Sequence, residues 1–61
     1  MRREVRVWDC NQSRDWQIER KENGTYVVTQ GMRVQGYARR LRDAKDVAQG
    51  RSERPLTWRV R

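Results

Sequence analysis

Sixty-one residues with fifteen Lys and Arg against eight Asp and Glu carry a net charge of +7, and a chain this short buries only about 60% of the surface its unfolded form exposes. A lone Cys10 and no histidine exclude an internal disulfide and offer no ligand set for a metal staple, so help from a partner copy is expected. No apolar run exceeds a few positions, and Met1-Arg2-Arg3-Glu4 does not lead into the hydrophobic stretch of a secretory signal, which makes the cytoplasm the expected compartment and removes the membrane as a partner.

The first element is a strand over Glu4-Val5-Arg6-Val7-Trp8, where polar and apolar residues alternate; Val5 and Val7 are expected to face inward and Trp8 outward. The turn-rich Asp9-Cys10-Asn11-Gln12-Ser13 ends it, and Cys10 is expected to be a strand-end or loop residue without special reactivity. Trp16 to Lys21 is the second strand and Thr25 to Gln30 the third, joined by Glu22-Asn23-Gly24. A two-residue Asn23-Gly24 loop would pair Ile18 with Thr29 and split the apolar set between two faces. A three-residue loop with Gly24 in the left-handed conformation instead sets Ile18 against Val28 and Arg20 against Tyr26, giving the sheet one buried side.

Gly31-Met32 reads as a turn and Arg33 to Ala38 as a fourth strand, with Gly36 marking a bulge or a close approach. The helix follows, with Leu41, Ala44, Val47 and Ala48 on one face, Gly50 placed to terminate it, and Arg42 and Asp46 spaced as an i,i+4 pair. No Ser, Thr, Asn or Asp precedes Leu41, so its N-cap is poor. After the polar connector Arg51-Ser52-Glu53-Arg54-Pro55, Leu56 to Arg61 alternates as a closing strand, with Leu56, Trp58 and Val60 inward and Thr57, Arg59 and Arg61 outward.

The order β-β-β-β-α-β predicts an α+β fold: a small antiparallel β-sheet of four to five strands with one helix packed on one face, forming a single small domain over residues 1–61. Its expected core is Val5, Val7, Trp16, Ile18, Tyr26, Val28, Val34, Leu41, Ala44, Val47, Leu56, Trp58 and Val60. Two exposed sheet edges and a slight core point to a homodimer, formed edge to edge or face to face.

The run Trp16 to Val28, followed by Gln35-Gly36-Tyr37-Ala38-Arg39-Arg40-Leu41-Arg42-Asp43-Ala44, resembles the N-terminal domain of HicB-type antitoxins: two strands around a Gly-aromatic turn, a glycine, a third strand, a helix opening in Leu-x-x-Ala and a final strand. The same layout is similar to the βββα part of double-stranded RNA-binding domains, in which a basic helix start near an Ala-Lys pair contacts phosphates. On that resemblance Arg42 and Ala44-Lys45 fall at the phosphate-contacting position. Arg40 departs from the antitoxin pattern, which has Ser or Thr before the helix leucine, and the proline-containing loop after that family's second strand is absent.

Charge carries the functional reading. Residues 1–31 hold six cations and five anions, whereas residues 32–61 hold nine and three, so the second half steers the molecule towards polyanions. Thirteen of the fifteen cations are arginine, a side chain suited to bidentate phosphate or carboxylate contacts, although GC-rich coding produces the same bias. Arg39, Arg40, Arg42 and Lys45 crowd a helix start, an end that already attracts anions through its dipole and free amides. Arg59 and Arg61 extend the basic surface, and Arg51 and Arg54 lie in a connector within reach of a partner. Trp8 is a candidate to stack on a base or pack against a second copy, or alternatively an ordinary core residue if the strand twists; Tyr37 either staples the helix start onto the sheet or sits exposed beside the arginines, where it could stack on bases.

No activating base accompanies Cys10, and Asp43 with Asp46 reads as two helix-surface carboxylates. The chain is therefore expected to be a non-enzymatic binding protein without cofactor, metal or small-molecule substrate. Its partner is nucleic acid gripped by the backbone, or alternatively an acidic protein surface met by an antitoxin-like or phage-encoded inhibitor.

Overall fold

Gly24 sets the register from which the sheet is built. A computed structural model describes residues 4–13 and 15–61, leaving Met1, Arg2 and Arg3, which precede the first strand, and Arg14 outside the described residues. In it Gly24 adopts φ +86°, the region that costs any residue with a Cβ. Its N–H donates to the Lys21 carbonyl at 2.9 Å, while the Lys21 N–H donates to the Thr25 carbonyl at 2.9 Å. This is the three-residue loop. It joins β2 (Trp16–Arg20) to β3 (Tyr26–Gln30) with Ile18 opposite Val28 and Arg20 opposite Tyr26, the register predicted from the demand for one buried face. The Asn23 side-chain oxygen accepts from the Thr25 N–H at 2.9 Å and braces the turn.

The remaining strands add outward from this hairpin. β1 (Arg6–Cys10), β4 (Arg33–Ala38) and the short β5 (Trp58–Val60) complete one antiparallel sheet in the order β4-β3-β2-β1-β5, and α1 (Leu41–Gly50) packs against β4, β3 and β2. The fold is α+β, as expected from the element order. β1 begins and ends two residues later than its alternation suggested, and the closing strand is three residues rather than six.

Ile18 and Val28 are fully enclosed, each worth about 1.5–3 kcal/mol for its burial. Around them lie Trp8, Cys10, Trp16 and Tyr26 from the strands and Ala44 and Ala48 from the helix, with Ala38, Leu41, Val47, Leu56 and Trp58 partly buried against the cluster. Four expected core residues are corrected. Val5, Val34 and Val60 are about half exposed, and Val7 lies on the opposite, open face of the sheet.

The reversal in β1 has a physical cause. Alternation dictates only that Val7 and Trp8 point to opposite faces. Trp8 pairs across the ladder with Ile18, so burying Trp8 and Cys10 joins them to the existing core and removes more apolar area from water than two valines would. Val34 is displaced by a different device. Val28 opposes Gly36 but Thr29 opposes Val34, so Gln35 is an extra residue, a bulge that turns Val34 to the open face.

Candidate nucleic-acid interface at the helix start

The residues that begin α1 are exposed because the strand before it ends at the rim of the sheet. Arg40 is the N-cap residue, extended at φ −127° and ψ 147°, and contributes no side-chain cap hydrogen bond. Its carbonyl accepts the first helical bond, from the Ala44 N–H at 3.0 Å. The amides of Leu41, Arg42 and Asp43 precede that bond and have no intrahelical acceptor. An Arg at the cap cannot supply the missing oxygen, so these donors are open to an acceptor from outside.

Arg39, Arg40 and Arg42 are all exposed and Lys45 is half-buried. Arg42 lies 3.9 Å from Asp43, which replaces the Arg42–Asp46 pair expected from helical spacing; with both side chains at least half exposed, that contact binds neither firmly. Arg39 and Arg40 have no ion pair among the described residues. From Asn23 to Arg42 the chain contains no carboxylate at all, while Arg33, Arg39, Arg40 and Arg42 fall within or close behind β4. Arg33 thus stands at one end of β4 and Arg39, Arg40 and Arg42 gather at the other, where the helix starts.

The other basic residues lie elsewhere. Arg59 and Arg61 are exposed on the open face at the β5 edge, four strand spacings or about 19 Å from β4. Arg61 is already engaged: its Nη2 and Nε donate to the two Asp9 carboxylate oxygens at 3.0 and 3.1 Å, and its N–H donates to the Val7 carbonyl at 2.9 Å. The Arg61 hydrogen bonds hold the Asp9 carboxyl below its ordinary value; desolvation is the next largest influence and opposes them, while the Arg61 charge, a Gln17 hydrogen bond and the Arg59 charge add smaller lowering effects. Asp9 carries no signal in the sequence that marks it as Arg61's partner.

Tyr37 is 66% exposed on the open face of β4, opposite Val27. For Trp8 the core alternative holds and the stacking one does not. At 7% exposure, with its ring 5.7 Å from that of Tyr26 and tilted by 50°, it is a core side chain with no face free for a base. The connector that holds Arg51 and Arg54 is tied down at both ends. Gln49 donates to the Arg54 carbonyl at 2.9 Å and accepts from the Leu56 N–H at 2.8 Å; Gln12 accepts from the Thr57 N–H at 2.9 Å. The polar residues of the β1–β2 loop therefore anchor the approach to β5.

Among the described residues no helix is long and apolar enough to cross a membrane, and no cluster of three His, Cys, Asp or Glu is placed to hold a metal ion. Comparison of the chain with family models, with curated proteins and with solved structures finds no match.

Proposed function

We propose that this chain is a small, non-enzymatic, cytoplasmic binding protein that grips the phosphate backbone of nucleic acid at the start of α1. The observation that carries the reading is the uncapped helix N-terminus, where unsatisfied amides and three exposed arginines converge without a firm carboxylate partner. The amides and dipole favour an anion, and the guanidinium groups supply bidentate donors to phosphate oxygens. Nothing in this arrangement places a helix for reading base edges, so binding is by backbone charge with little sequence preference. The resemblance to double-stranded RNA-binding domains supports the same placement.

Fluorescence anisotropy with mixed-sequence duplex DNA and duplex RNA over a range of salt concentrations tests it. Wild-type affinity should fall steeply as salt rises, and Arg39→Ala with Arg40→Ala should lower the log–log salt slope by roughly two on duplex DNA. An unchanged slope rejects the helix start as the contact.

A second reading is an antitoxin-like or phage-encoded interaction protein that docks on an acidic protein. The specific observation in its favour is the carboxylate-free stretch that includes β4, an edge strand with exposed apolar side chains.

A further inference from the structure

We infer that the free edge of β4 accepts an extended, acidic segment of a partner protein by strand addition. This deepens the second reading and does not depend on the first.

The two edges of the sheet differ. β5 is three residues long, follows Pro55 within the chain, and is flanked by the Asp9–Arg61 pair; short edges of this kind offer little ladder to an incoming strand. Among the described residues β4 is the longest strand at six residues and pairs with β3 on one side only, and it holds neither Pro nor Lys. A strand with one side unpaired presents main-chain donors and acceptors to whatever lies alongside.

Side chains mark the same edge. Of the five large apolar residues exposed among the described residues, Met32, Val34 and Tyr37 lie on β4 or the turn before it. Val34 and Tyr37 share the open face with Val27 and Thr29 of β3, so an added strand with apolar residues at alternate positions would cover both.

Charge selects the occupant. Arg33 at one end and Arg39 and Arg40 beyond the other bracket the edge, and the stretch from Asn23 to Arg42 contributes no carboxylate of its own. A second copy pairing antiparallel about the middle of β4 would bring Arg33 of one molecule beside Ala38 and Arg39 of the other, setting cation against cation at both ends. A strand with acidic ends and an apolar centre meets each group with its complement. The Gln35 bulge bends the edge and limits pairing to a short segment, which suits a peptide better than an extended sheet of copies.

The probe is a labelled peptide of about ten residues, alternating valine and threonine with two glutamates at each end. Its controls are a version with lysine for glutamate and a version with two central threonines replaced by proline, which keeps the charge but removes ladder donors. Anisotropy should show saturable binding of the acidic peptide, about tenfold weaker for the proline version, and none for the lysine version. Amide exchange should slow in β4 when the acidic peptide binds. Val34→Ser with Tyr37→Ser, both at exposed positions, should weaken binding while the unfolding midpoint of the protein stays close to wild type.

Three results each overturn the inference. They are absence of binding by the acidic peptide, equal binding of the proline version with no exchange protection in β4, and a free protein that sediments as a dimer with β4 already protected. Equal binding would mean attraction by charge alone, leaving the duplex-binding result above unaffected.

Discussion

Val47 lies directly over Gly36: a Cβ built on that glycine would come within 2.9 Å of Val47 Cγ1. The contact is where the helix rests on β4, and it gives the glycine a packing reason in place of a backbone one. A β-branched side chain in a helix has little freedom to turn aside. Gly36→Ala should therefore destabilise the protein by about 1 kcal/mol, the cost of overpacking exceeding the gain from a stiffer unfolded chain. Urea unfolding checks this. In a Val47→Ala background the same substitution should be neutral or stabilising, because the methyl group it would strike has gone.

The pairing of Asp9 with Arg61 makes the β5 edge sensitive to acid. Asp9 titrates below its unfolded value of about 3.9 because the Arg61 hydrogen bonds favour the carboxylate. Its stabilisation is therefore present in full above the unfolded value and is lost as pH falls through the lower, folded one. Protection of the β5 amides, measured as the exchange rate relative to the intrinsic rate at each pH, should fall below about pH 4 in the wild type. Asp9→Asn should show the lower protection already at neutral pH, with less change on acidification.

At position 40, stability and anion binding should move in opposite directions. Arg40→Asn supplies the missing side-chain acceptor at the N-cap and should stabilise the fold by about 1 kcal/mol. It also removes one cation and fills a donor that an outside anion would use, so affinity for duplex nucleic acid should drop. A urea midpoint and an anisotropy titration on the same variant measure both. An increase in both quantities would contradict the proposed role of the open helix start.

Cys10 should behave as a protected thiol. It is 6% exposed, at the end of β1, with its Sγ 3.4 Å from Gln12 Oε1. A thiol-specific chromogenic reagent should modify it slowly in the native protein and rapidly in urea, the native rate following opening of the fold. Immediate native reaction would show that the β1 end and its loop are not closed over the thiol.

Local chemistry made much of the architecture legible. The Asn23-Gly24 turn combined with the spacing of Trp16, Ile18, Tyr26 and Val28 admits one register that buries a single face, and that register is present. The bounds of β4 and the weak cap of α1 were equally accessible, because each depends on neighbouring residues. Less of the candidate site could be read. Arginines at the helix start are adjacent in sequence, but the exposed edge beside them depends on which strand lies outermost in the sheet.

The sequence alone determined the α+β class, the order of elements, the hairpin register and the concentration of positive charge around the start of α1. Tertiary structure decided the choices that alternation leaves symmetric: Trp8 is inside and Val7 outside because Trp8 stands opposite the enclosed Ile18. It also decided pairings across long separations, such as Asp9 with Arg61, 52 residues apart. Those pairings place Arg59 and Arg61 at one edge of the sheet and Arg39 and Arg40 beyond the other. A periodic pattern specifies what a strand needs on its faces, whereas only the assembled sheet specifies which face, which neighbour and which edge it receives.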